Sequence, residues 1–249
     1  MLNVDRREIY RYMGCKGKEP EEAVKEVAEE ALSLLLPALT LKEYHQSFPL
    51  RWDAKKEEEA NSFLPGKDVG AKREGILEER TKSPEEEPYP LIEGIPLRSH
   101  SLARNLSGCE EVSLLAVTIG AAPDRFIARA RAKGRASLAL ALQAAGAALI
   151  ENWCDEVQER IREEVAPRGY YLRPRFSPGY GDLPLSYQRD FFQILKVTQH
   201  TGITLSESLL MLPTKSVTAF IGFTREISAP CHRLGCESCT KQDCAFKRT

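Results

Sequence analysis

The chain of 249 residues has no long apolar run. Its longest near-apolar stretch, Ala136 to Ile150, contains Gln143 and Gly146 and is too short to span a bilayer. The N-terminus, Met1-Leu-Asn-Val-Asp-Arg-Arg-Glu, is charged and has no apolar h-region, so no signal peptide is visible and a cytoplasmic location is expected. Charge of one sign is also lacking. Thirty-five Lys and Arg stand against 36 Asp and Glu, a formal net charge of −1, which removes any global electrostatic case for nucleic acid. No internal repeat occurs at a solenoid period. Gly66-Lys67 is not a phosphate loop: the first glycine is missing and no Ser or Thr follows the lysine. No Ser/His/Asp or Cys/His nucleophile motif is apparent.

What remains is a chain that is 42% apolar and 29% charged, enough for a real core in a soluble protein. Helices are expected over Asp5–Met13, from Pro20 to Pro37, over Ser99–Leu106 with Ser99 as N-cap, over Asp124–Lys133, and over Ser137 to about Glu164. A further helix capped by Ser186 should run to Lys196. Strands are expected within Leu39–Leu50, over Val112–Ile119 ending at Gly120, and over Thr204–Met211 and Lys215–Phe223. The segment from Asp53 to Pro90 differs: 18 of its 38 residues are charged, and prolines fall at 65, 84, 88 and 90. It reads as a solvated insertion or linker between the N-terminal part, 1–52, and a core spanning 91–225. The basic helix with Arg125, Arg129, Arg131 and Lys133 reads as a solvated face or as a docking surface for an acidic partner. The run Ala144-Ala-Gly-Ala-Ala lets a backbone or a flat ligand approach closely, and Glu151 sits where that helix turns charged.

Two constellations carry chemistry. The first is Arg175-Phe-Ser-Pro-Gly-Tyr180. Pro178-Gly179 sets a turn, because proline fixes φ for position i+1 and glycine accepts positive φ at i+2. A turn that exposes amides between a guanidinium and a phenol can hold a small zwitterion: the guanidinium forks onto a carboxylate and the aromatic face meets a cation. The second lies in the tail, 226–249. Cys231, Cys236, Cys239 and Cys244 are spaced C-x4-C-x2-C-x4-C, with His232 beside the first. In a cytosolic chain such spacing suits a zinc or iron–sulfur site better than disulfides. Cys15, Cys109 and Cys154 read as small buried hydrophobes.

The stretch Arg175-Phe-Ser-Pro-Gly-Tyr-Gly-Asp-Leu-Pro184 resembles the activation (reactivation) domain of vitamin B12-dependent methionine synthase, whose signature is Arg-x-x-Pro-Gly-Tyr-x-x-x-Pro. The likeness continues through His200-Thr-Gly-Ile-Thr-Leu-Ser-Glu-Ser and Pro213-Thr-Lys-Ser-Val-Thr-Ala-Phe-Ile-Gly. Arg7-Glu-Ile-Tyr-Arg-Tyr-Met-Gly-Cys-Lys-Gly, Cys109-Glu-Glu-Val-Ser-Leu-Leu-Ala-Val-Thr-Ile-Gly and Ala147-Ala-Leu-Ile-Glu-Asn-Trp-Cys-Asp resemble small stand-alone members. The resemblance implies an α+β fold, a twisted antiparallel sheet with helices around it. It implies S-adenosylmethionine as ligand, with Arg175 on the methionyl carboxylate, the Ser177 backbone at the adenine, Gly179 and Tyr180 lining the site, and Glu151 as acidic partner. It further implies an accessory methyltransferase component acting on a cobalamin-binding protein or methionine synthase subunit. There cob(II)alamin is reduced, typically by a flavodoxin, and remethylated. The N-terminal Asp-and-aromatic segment and the downstream tyrosine of the large enzymes have no clear counterpart. The other reading kept open is a non-catalytic metal or redox module, built on the four tail cysteines, that docks on a corrinoid protein.

Overall fold

A computed structural model describes residues 2, 4–15, 18–53 and 88–226. The cysteine tail and the middle of the charged segment lie outside the described residues. The frame is a four-stranded antiparallel sheet in the order β1-β5-β9-β6, formed by β1 (Lys42–Pro49), β5 (Cys109–Thr118), β9 (Ser216–Thr224) and β6 (Tyr171–Leu172). The central strands pair along most of their length, from Thr118↔Ser216 to Val112↔Gly222. Both read as near-continuous apolar runs because both faces of the sheet are covered.

On one face Leu115, Val117, Ile221 and Phe223 meet α1 (Arg6–Tyr12), α2 (Glu22–Leu35), α4 (Ala122–Ala132) and α5 (Ala136–Val165). On the other, Val112, Leu114, Ala116 and Phe220 meet α3 (His100–Leu106), α6 (Gln188–Leu195) and α7 (Val197–Thr201). Each fully buried Leu, Ile or Phe contributes about 2 kcal/mol of transfer free energy, so neither layer is dispensable. The α+β class expected from the sequence is the one observed.

Local chemistry explains most boundaries. Asp5 accepts from the Arg7 amide at 2.9 Å and starts α1, and Ser99 accepts from the Leu102 amide at 3.0 Å and starts α3. Several expectations need correction. Arg51–Asp53 (β2), Tyr89–Ile92 (β3) and Ile95–Pro96 (β4) make a three-stranded sheet, so Asp53, Tyr89 and Pro90 are strand residues rather than part of a loose insertion. The expected strand Thr204–Met211 is instead a hairpin of β7 (Thr204–Leu205) and β8 (Met211–Leu212). Ser206 turns the chain there, its hydroxyl accepting from the Leu210 amide at 3.0 Å. Ser186 caps nothing: it lies in a 3-10 turn, Leu185–Tyr187, ahead of α6. Cys109 and Cys154 are buried as expected, whereas Cys15 is only half-buried.

Candidate functional site

The Arg175–Tyr180 stretch leaves β6 and adds one bridge to the edge of the main sheet, Phe176↔Phe220, with mutual amide–carbonyl bonds of 2.8 and 3.0 Å. Alternation across that bridge sends neighbouring side chains to opposite faces. Phe176 packs with the α6 core, while Arg175 meets α5. Its guanidinium reaches Asp155 Oδ1 at 2.8 Å, Gln158 Oε1 at 2.9 Å and Glu151 Oε2 at 3.3 Å. Residues 151, 155 and 158 stack on one face of α5 because they fall at i, i+4 and i+7. The Arg175 side chain is 19% exposed, so its neighbours hold it strongly without sealing it.

The expected Pro178-Gly179 turn is present. The Tyr180 amide bonds the Ser177 carbonyl at 3.0 Å, and Gly179 has φ +94°, which an L side chain rarely adopts. Two of its amides, however, those of Gly179 and Tyr180, are already engaged. The Tyr180 amide is used within the turn, the Gly179 amide donates to the Leu183 carbonyl at 2.9 Å, and proline has none. The Ser177 carbonyl is likewise engaged by Tyr180, and Ser177 itself is half-buried.

Tyr180 is 57% exposed and meets Phe176 edge to face, with ring centroids 6.2 Å apart. Its hydroxyl is pushed up from the ordinary phenol value, first by partial desolvation and then by the negative charge of Glu151. Beneath the cluster the Cys154 thiol is pushed up to about 12, chiefly by burial, which keeps it protonated and inert at neutral pH.

The loop is pinned at its far end. Asp182 accepts from Ser99 Oγ at 2.5 Å and from the amides of His100 and Ser101 at 2.8 and 3.0 Å. The Ser99 hydrogen bond first, and the two amides with it, hold the Asp182 carboxyl well below the usual range. Gly181 abuts α3 so closely that a Cβ there would lie 2.9 Å from Ser101 Oγ. Leu183, buried, closes the segment into the core.

Comparison with known proteins bears on this geometry. The family model described as vitamin B12 dependent methionine synthase, activation domain, matches residues 101–230, more than half of the 249. The chain belongs to that family. A solved structure described as the MetH reactivation domain bound to AdoHcy shares the fold at TM-score 0.57 and 18% identity, covering 91% of this chain and 75% of that one. No curated protein matches.

Within this activation-domain chain, the structure brings Arg175, Glu151, Gly179 and Tyr180 into one neighbourhood, with Ser177 in the same turn. Sequence reasoning missed Asp155 and Gln158, because the charged second half of α5 read as solvated. The signal was present in their i+4 and i+7 spacing from Glu151. It also missed Asp182, which stands two residues after Tyr180, and Tyr12 at the end of α1, whose hydroxyl adds to the upward push on Tyr180. Cys231, Cys236, Cys239 and Cys244 lie outside the described residues, and among those described no cluster of three or more His, Cys, Asp or Glu could hold a metal. Among the described residues, too, no helix is long and apolar enough to cross a membrane.

Proposed function

We propose that this chain binds S-adenosylmethionine at the Arg175–Glu151–Asp155–Tyr180 cluster. It serves as an accessory subunit for the reductive remethylation of cob(II)alamin on a methionine synthase or related corrinoid methyltransferase. The observation that carries the reading is the charge pattern: one guanidinium between two carboxylates, beside an exposed phenol. An α-amino acid terminus complements it, since the ligand carboxylate can fork onto Arg175 while its ammonium replaces the guanidinium against Glu151 or Asp155. The cluster sums to one negative charge, and S-adenosylmethionine sums to one positive charge, so the extra carboxylate matches the sulfonium. Family membership and the AdoHcy-bound relative support the same reading.

The bound ligand supplies the electrophilic methyl group. The chain contributes binding and orientation: Arg175 fixes the amino-acid end, Tyr180 offers an aromatic face to the sulfonium, and Asp182 holds the loop that carries both. The corrinoid and a flavodoxin-type reductant belong to partner proteins in this reading. Cys231, Cys236, Cys239 and Cys244 are proposed to hold zinc or an iron–sulfur cluster, which metal analysis and an absorption spectrum of anaerobically purified protein test.

Isothermal titration with S-adenosylmethionine tests the site. The wild type is expected to bind it more tightly than S-adenosylhomocysteine, and Arg175→Ala is expected to lose at least about tenfold, roughly 1.4 kcal/mol. Absence of binding to wild type, or equal affinity in Arg175→Ala, removes the assignment.

A further inference from the structure

The opposite face of the sheet holds a cavity of about 320 Å³ that the proposed methyl-donor site does not use. It is lined by Tyr44, Gln46 and Phe48 of the outer strand β1, by Glu93 at the β3–β4 turn, and by Ile194, Leu195, Lys196 and His200 at the α6–α7 junction. Phe48, Ile194 and Leu195 give it an apolar part. Tyr44 and His200 are stacked face to face, centroids 3.6 Å apart and planes 7° from parallel, as a flat aromatic wall. Its two oppositely charged residues, Lys196 and Glu93, make no ion pair within 4 Å among the described residues, either with each other or with anything else.

Both charged residues sit where the backbone disfavours them. Lys196 and Glu93 each have φ +49°, and they are two of only three non-glycine residues at positive φ among those described. Lys196 is the left-handed cap between α6 and α7, a position that glycine or asparagine fills most easily. Glu93-Gly94 is the two-residue loop of the β3–β4 hairpin, closed by Ile92↔Ile95, with positive φ at both positions. That is a type I′ turn, whose favoured sequence is Asn-Gly. At both places the chain accepts strain where glycine or asparagine would relieve it, and both side chains line the same cavity. Such strain clusters where a side chain is required for something other than folding.

We propose that this cavity binds a zwitterionic α-amino acid with an apolar or aromatic side chain. Lys196 takes the carboxylate, Glu93 the ammonium, and the Phe48–Ile194–Leu195 surface the side chain. The volume is near the lower end for ligand pockets, which suits a molecule of this size. With one lysine and one carboxylate in its lining, the cavity is a poor match for polyphosphates, which need several cations.

The test is calorimetry on full-length protein carrying Arg175→Ala, which silences the first site, with L-phenylalanine and L-methionine as probes. Saturable one-to-one binding is expected. Phenethylamine, lacking the carboxylate, and hydrocinnamate, lacking the ammonium, should bind at least tenfold more weakly. Lys196→Gly and Glu93→Asn should each lower phenylalanine affinity at least tenfold while the melting temperature holds or rises, because each suits its backbone angle. As a readout that needs no cavity variant, saturating phenylalanine should shift the methyl resonances of Ile194 and Leu195 and leave those beside Glu151 unmoved. No saturable binding up to about 10 mM, or affinity unchanged in both cavity variants, overturns the proposal. Neither outcome touches the S-adenosylmethionine reading.

Discussion

Replacing Asp182 with alanine removes three hydrogen bonds that tie the loop following Arg175 to the start of α3. Bonds to an ionised acceptor are worth about 1.5–3 kcal/mol when buried. Asp182 is exposed, so water replaces much of that and about 0.5 kcal/mol each is a better measure. Ser99 also loses the acceptor that orients its hydroxyl at the N-cap, adding up to about 0.5 kcal/mol. The total, about 1.5–2 kcal/mol, corresponds to a fall of about 3–8 °C in melting temperature for a chain of this length. The sign of the pH dependence follows from the depressed carboxyl. Its stabilisation is fully present above the ordinary aspartate value of about 3.9 and is lost as pH falls towards the lower folded value. Scanning fluorimetry of wild type and Asp182→Ala should therefore show a constant gap from pH 8 to about 5 that narrows below about 4. A gap under about 1 °C at pH 7, or one undiminished at pH 3, refutes the reasoning.

Other outcomes test other parts of the structure. Gly222→Ala places a Cβ 2.5 Å from Cys109 Sγ and 2.8 Å from Leu106 Cδ2, so overpacking should cost about 2–3 kcal/mol by denaturant titration. Lys215 is 7% exposed, and burial lowers its ammonium pKa, so it destabilises the fold at neutral pH and less so as pH rises. Lys215→Met should then raise the melting temperature, by about 2–4 °C if the relief is about 1 kcal/mol. The Cys154 thiol, at about 12, should stay unmodified by iodoacetamide at pH 8 in native protein and react only after denaturation, as read by peptide mass spectrometry. Glu151→Gln should weaken S-adenosylmethionine more than S-adenosylhomocysteine by calorimetry, because it removes the charge proposed to match the sulfonium.

Much of this was legible in the residues. The central strands and α5 announced themselves by apolar content, and Ser99 by its place before α3. The β2–β3–β4 sheet did not, because its strands are two to four residues long and carry Pro90 and Pro96. At the site, the residues adjacent in sequence were found together, and of the partners arriving from α5 the family resemblance pointed to Glu151 alone, leaving Asp155 and Gln158 unseen. Arg175 and Asp155 are twenty positions apart, and the pairing of Tyr171 to Phe176 along β9 brings them together. The exposed turn amides expected beside Arg175 failed for a related reason: the Leu183 carbonyl returns to occupy one of them. Local sequence sets a turn type, but not which groups come back to it.

The pairing Asp53↔Tyr89 places the two ends of the charged segment side by side on neighbouring strands. Two described positions 36 apart in sequence thus stand side by side in one strand pair. Residues added or removed between Asp53 and Tyr89 should therefore leave the β2–β3 pairing in register. That makes the position a natural port: a tight two-residue turn should close it, and a reporter or affinity module should be accommodated there. An insertion at this point is expected to leave both the Arg175 loop and the cavity lined by Tyr44 as they are.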